Sequence, residues 1–182
     1  MKSFRTYLIA SFVLVFLLSS CMEEQNFDQY EDLRLRPTYE ASILYIEAPE
    51  SAIDAVSSTT FFSRDFNFDA FSESVFAERV RSGVITYEVE NTTNREFDPI
   101  FVEFLDETEN VLYTESFYVP PAPTAVLQRE ITFGPGGENI DIIRNTSSFR
   151  VSATVGADSS TSDLSDPKIT LKSSGKFTVA LK

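Results

Sequence analysis

The 182-residue chain contains no histidine, no tryptophan and a single cysteine, Cys21. Each absence removes a class of function. Without histidine there is no Ser–His–Asp triad, no Cys–His nucleophile and no imidazole switch near neutral pH. One cysteine without histidine cannot assemble the usual Cys/His zinc site, and it cannot form an intramolecular disulfide. The missing tryptophan weakens any sugar-platform reading, although tyrosine and phenylalanine can also stack on sugars. Basic residues are scarce as well: 15 Lys and Arg face 28 Asp and Glu, a formal charge of −13. A field of that sign repels nucleic acid and anionic membrane surfaces over a Debye length of about 8 Å, and it serves solubility. A phosphate-binding loop is missing too. Gly134-Pro135-Gly136-Gly137 has no Lys-Ser or Lys-Thr after it, and Pro135 lacks an amide donor, so these residues read as a turn.

What is present begins at the amino terminus. Lys2 and Arg5 precede an apolar run from Tyr7 to Leu18, broken only by Ser11, and small residues follow. That order is a secretory signal, expected to span residues 1–20 with cleavage between Ser20 and Cys21. The run is about 12 residues long, whereas a helix needs roughly 20 to cross a bilayer, so a permanent span is not expected. Cleavage would remove two of the 15 basic residues and none of the 28 acidic ones, taking the formal charge from −13 to −15.

Residues 21–37 carry Glu23, Glu24, Asp28, Glu31 and Asp32 with no sustained apolar period, and read as a flexible acidic tether. Beyond Pro37, period-two alternation dominates, the mark of strands with one buried face. In Phe149-Arg150-Val151-Ser152-Ala153-Thr154-Val155 it has no exception. Other candidate strands cover 39–47, 59–68, 84–90, 100–105, 111–119 and 125–133, with 100–119 as a hairpin. Segments 168–172 and 176–179 read as a C-terminal hairpin turning at Ser173-Ser174-Gly175. One helix is expected over about 70–82, capped by Asp69 or Ser72 and ended by Gly83, with a shorter turn at 139–144. The fold class is therefore all-β: residues 38–182 forming an antiparallel two-sheet, immunoglobulin-like sandwich of about nine strands, with a small antiparallel barrel as the alternative. Most of the 17 Phe and 7 Tyr are assigned to its core.

Three further patterns bear on chemistry. The loop Asp158-Ser159-Ser160-Thr161-Ser162-Asp163-Leu164-Ser165-Asp166 offers oxygen ligands for calcium from Asp158, Asp163 and Asp166, but it lacks the EF-hand spacing and reads first as a solvated Ser/Asp loop. Asn91-Thr92-Thr93 and Asn145-Thr146-Ser147 fit a glycosylation pattern and are read as turn and cap chemistry. The many carboxylates single out no acid–base pair. No catalytic residue, metal or cofactor is assigned.

Leu18-Ser19-Ser20-Cys21 resembles the lipobox of bacterial lipoproteins, which implies diacylation of the Cys21 sulfur, cleavage before it and acylation of the new amino terminus. Two or more acyl chains anchor stably because each buried methylene adds about 0.8 kcal/mol. The chain as a whole resembles the small, β-rich, uncharacterised lipoproteins of flavobacteria and other Bacteroidetes. There, an acidic stretch behind the lipidated cysteine resembles a surface-export signal, a role that falls here on Glu23 and Glu24. The expected function is a non-catalytic binding or assembly module held in the outer membrane, facing outward or, alternatively, the periplasm. Its partner would be an envelope protein or a glycan, with no nucleic acid involved. A structural accessory subunit and a carboxylate-dependent glycan enzyme are the alternatives. If Cys21 is the attachment, Cys21→Ser should yield protein that is soluble after export or stalls uncleaved. A cleaved variant that still needs detergent for extraction would contradict this.

Overall fold

The computed structural model describes residues 34–56, 60–71, 73–122, 126–156 and 163–181. The alternation resolves into eight strands: β1 (Thr38–Pro49), β2 (Thr60–Asn67), β3 (Val80–Asn91), β4 (Phe97–Leu105), β5 (Val111–Val119), β6 (Leu127–Phe133), β7 (Ser148–Val155) and β8 (Lys168–Val179). Sheet I has the order β1-β8-β3-β6 and sheet II the order β2-β7-β4-β5. Every pairing is antiparallel. Three short helices, α1 (Glu50–Asp54), α2 (Ser74–Ala77) and α3 (Ile140–Asn145), lie in the connections.

The two-sheet sandwich forms as the alternation requires, and it does not close into a barrel. The connections wind between the sheets so that odd-numbered β1 and β3 flank β8 while even-numbered β2 and β4 flank β7, the double Greek key of a jelly roll. An immunoglobulin sandwich would instead place strands one, two, five and four in one sheet. Along β3, Val80, Ile85, Tyr87 and Val89 point inward and are buried, while Glu88 and Glu90 stay outside. Phe97, Phe104, Phe117, Phe133 and Phe149 fill the interlayer, with Phe104 and Phe149 in edge contact at 4.8 Å.

Two expectations need correction. The C-terminal hairpin does not exist: β8 runs unbroken from Lys168 to Val179 through the middle of sheet I, paired with β1 on one side and β3 on the other. Ser173-Ser174-Gly175 looks like a turn in one dimension, but its small residues are used for packing. A Cβ on Gly175 would run into the Phe177 ring, and so would one on Gly83, the cross-strand partner of Phe177. The ring therefore lies across two glycines on the inner face, and Phe71 and Phe76 pack on it at 5.0 and 5.4 Å. Nine expected strands thereby become eight.

The helix expected over 70–82 shrinks to the four residues of α2, because Val80 begins β3 and Gly83 sits within that strand instead of ending a helix. Val75, which with Phe76, Arg79 and Val80 has helical spacing in the sequence, is 64% exposed. The shorter turn holds as α3, where the Asn139 side chain accepts the Asp141 amide as an N-cap. The glycine-rich segment is indeed a turn: Gly134 N donates to Glu138 O at 2.8 Å, and Gly134 has φ 99°, a conformation only glycine adopts at little cost.

The expected β4–β5 hairpin forms, and Asp106 holds its turn. Its carboxylate accepts the Thr108 and Asn110 amides at 2.8 and 2.9 Å, the Thr108 hydroxyl at 2.8 Å and the Asn110 side-chain amide at 3.0 Å. These bonds, those from Asn110 and Thr108 side chains foremost, hold the carboxyl down to about 2.

Gly175→Ala should cost on the order of 1–3 kcal/mol in a urea melt, since the added methyl overpacks a ring that its aromatic neighbours pin. Part of that loss should return in the Gly175→Ala/Phe177→Leu pair, so additive losses would contradict the contact. Asp106 gives a pH signature. A depressed folded-state value contributes fully above the unfolded value, about 4, and the contribution disappears as pH falls through about 2. Asp106→Ala should therefore lower the melting temperature at pH 7, with the gap closing towards pH 2. A gap independent of pH would contradict it.

Candidate functional site

The outer face of sheet I forms a trough because successive cross-strand rows alternate long and very short side chains. The register aligns Ser42 of β1, Ser174 of β8, Thr86 of β3 and Glu130 of β6 in one row. One row towards the start of β1 lie Glu40, Lys176, Val84 and Thr132, and one row the other way lie Tyr45, Lys172, Glu88 and Gln128. Hydroxyls of the short row make the floor and the charged rows make the walls. The depression has a volume of about 580 Å³ over the Glu40 side and about 250 Å³ over the Tyr45 side, the two sharing Ser42, Thr86 and Ser174. A bulge in β1 between Ser42 and Leu44 keeps Leu44 in the core while Tyr45 returns to the outer face.

The walls are partly fixed and partly free. Lys176 Nζ meets Glu40 Oε1 at 2.7 Å, which raises the lysine's pKa. The Tyr45 hydroxyl donates to Glu47 Oε2 at 2.7 Å, and Lys168 Nζ lies 3.3 Å from the same oxygen. The Tyr45 bond first and Lys168 second lower Glu47, while the same bond raises Tyr45. The ring, 60% exposed, is thus tethered by its hydroxyl beside the trough with its face open. Lys172, Glu88 and Glu130 make no ion pair among the described residues. The arrangement therefore offers hydroxyls, two unpaired carboxylates, an unpaired ammonium and an aromatic face. It suits hydrogen bonding and stacking on an extended ligand, and it contains no nucleophile with an adjacent base.

Two other polar groupings are structural. Between the sheets, Glu115 of β5 accepts the Tyr113 hydroxyl at 2.9 Å and meets Arg129 Nε of β6 at 2.7 Å. Burial, then the Glu115 bond, pushes the Tyr113 hydroxyl up to about 12. Burial likewise raises Tyr87, whose hydroxyl has no hydrogen-bond partner among the described residues. An inward-pointing Arg–Glu pair on edge strands discourages edge-to-edge association. On the outer face of sheet II, Arg150 takes Asp65 at 2.8 and 3.0 Å in a two-pronged bond.

Asn91-Thr92-Thr93 is turn chemistry, as expected. Buried Asn91 donates to Arg95 O at 2.7 Å and Pro120 O at 2.8 Å while accepting the Thr93 hydroxyl at 2.8 Å. Asn145 and Thr146 bond Asp141 O and Ile142 O at the end of α3. Ser20, Cys21, Glu23, Glu24 and Asp158 lie outside the described residues. Asp163 and Asp166 are exposed, and the Asp166 carboxylate lies 3.3 Å from Lys168 Nζ. Among the described residues no three Asp, Glu, Cys or His gather as a metal site. Likewise, no helix there is long and apolar enough to cross a membrane. The trough went unpredicted because serine and threonine at alternate positions announce only an outward face, and the alignment of three of them across strands depends on register.

No protein-family model and no curated protein matches the chain. Solved structures similar to it include the VP2 subviral particle of infectious bursal disease virus, at 10% identity and a TM-score of 0.37 over 80% of this chain. The chain spans about a third (33%) of that VP2 chain's length. An Israeli acute paralysis virus particle matches at 9% identity and a TM-score of 0.39, covering 90% of this chain and 82% of that one. Desmodium yellow mottle tymovirus matches at 7% identity and a TM-score of 0.33, covering 81% and 90%. Likeness at this level carries no inference about function.

Proposed function

We propose that this chain is a lipid-anchored envelope protein that binds an extended partner, a glycan strand or an unfolded protein segment, in the trough of sheet I, without catalysis. The observation that carries the reading is the hydroxyl-floored depression crossing four strands, with Tyr45 presented at its side. The lipobox at 18–21 supports the anchor, and the acidic stretch holding Glu23 and Glu24 supports a place on the outer membrane. A rigid β-sandwich on a tether is a suitable carrier for such a seat, because strand-borne side chains keep their spacing.

Crosslinked pull-down from native membranes tests this with two variants. Ser174→Phe fills the floor from an exposed position, and Tyr45→Ala removes the aromatic face. Each should reduce recovery of the partner at least tenfold with little change in melting temperature. Recovery of the same partner at native yield by both variants would move the binding surface elsewhere.

A further inference from the structure

Eight of the chain's ten arginines have described side chains, and they fall into two sets. Arg95, Arg129, Arg144 and Arg150 each hold a carboxylate. Arg34, Arg36, Arg79 and Arg81 are exposed and hold none among the described residues. The second set is gathered at one corner, where the end of β8 is clamped between two neighbouring segments. Leu181 N donates to Leu35 O at 2.8 Å and Ala180 N donates to Arg79 O at 2.9 Å. Arg34 and Arg36 thus flank one side of this chain end and Arg79 and Arg81 the other, about two strand spacings or roughly 10 Å apart.

The same corner exposes apolar side chains: Leu35 at 52%, Tyr39 at 53% and Val75 at 64%. Tyr39 is the β1 partner of Phe177, and Val75 adjoins Phe76, whose ring meets Phe177 at 5.4 Å, so these side chains surround one end of the ring stack. Nearby carboxylates do not cancel the arginines. Lys176 occupies Glu40, and Glu73 and Glu78 at the ends of α2 reach no arginine within ion-pair distance.

We infer that this corner docks on the bilayer, its arginines on the phosphates of anionic phospholipids and Leu35, Tyr39 and Val75 in the interfacial layer. The proposal rests on the reading that Cys21 is the lipid attachment. Twelve residues, 22–33, separate Cys21 from Arg34. Even fully extended, that length reaches no more than roughly 45 Å, so Arg34 is the described residue that the chain ties most closely to the anchor. An end of the sheet that carries both arginine and exposed leucine, tyrosine and valine suits an interface that is anionic at its surface and apolar just beneath. The chain's overall negative charge opposes approach from solution, but beyond a Debye length it is screened, and at contact these arginines dominate.

The test uses two features of the chain, its missing tryptophan and its lone cysteine. Protein beginning at Cys21 and carrying Tyr39→Trp is coupled through the Cys21 thiol to a maleimide phospholipid in vesicles, so docking is measured whether or not the cell lipidates Cys21. Vesicles of equal phosphatidylglycerol and phosphatidylethanolamine, brominated on their acyl chains, should quench the indole at least twofold. Brominated phosphatidylcholine vesicles should quench it little. Reversing Arg34, Arg36, Arg79 and Arg81 to Glu should abolish the difference, and the gentler Arg79→Gln/Arg81→Gln pair, with native melting, should halve it. Equal quenching before and after charge reversal, or no quenching on any vesicle, overturns the proposal. So does quenching that appears only after Glu23, Glu24, Asp28, Glu31 and Asp32 become amides, since the chain's own acidic segment would then occupy the arginines.

Discussion

The contact on which sheet I depends is the Phe177 ring lying flat over Gly83 and Gly175. A side chain at either glycine would lift the ring, and with it Phe71 and Phe76, which close the sandwich where the sheets part. Because the ring needs an extended backbone at Gly175 to lie this way, the Ser-Ser-Gly segment cannot turn and β8 must continue. Continuity of β8 in turn fixes the sheet: β1 and β3 pair along its whole length, and the row Ser42, Ser174, Thr86 comes into line on the opposite face. The trough outside and the aromatic stack inside are two faces of one register.

The two ends of the sandwich are built on different principles. At the end away from the start of β1, backbone groups are satisfied by a polar hub. Asn91 and Thr93 are buried, Asn94 N donates to Glu50, and Arg95 grips Asp54 at 2.6 Å while its other nitrogen reaches Gly156 O. These bonds join α1, the β3–β4 connection and the end of β7, where a loop-rich tip would otherwise leave buried donors unpaired. At the end where β1 begins, closure is aromatic and the outermost side chains are apolar or arginines that hold no carboxylate among the described residues. A polar cap suits an end that meets only water, whereas exposed leucine, tyrosine and valine beside arginine call for a different neighbour.

Much of the fold was legible because its signal is local. Alternation at 149–155 is a strand whatever surrounds it, and Asp106-Glu107-Thr108-Glu109-Asn110 is a turn because Asp106 bonds residues two and four positions ahead. The losses occurred where meaning is set by a distant residue. Gly175 resembles a turn until Phe177 is seen to need it, and Val75, Phe76, Arg79 and Val80 have helical spacing until Val80 is claimed by Val179 across the sheet. The trough and the arginine corner share this property. Ser42 and Ser174 are 132 positions apart in sequence yet direct cross-strand partners, and Arg36 and Arg79 are neighbours only through the end of β8.

The absence of histidine shapes how any of these surfaces can be controlled. The ionic contacts at the trough, Glu40 with Lys176 and Glu47 with Lys168, combine carboxylates and amines, and where shifts occur they push the charged forms further from neutrality. Asp106 moves the same way. Glu47, Lys168 and Lys176 therefore move away from the range where imidazole would titrate. In the proposed reading, occupancy would be left to local concentration, which tethering a domain to a surface raises without any new contact. A seat built on strands with a fixed charge pattern would then be regulated by where the domain is placed.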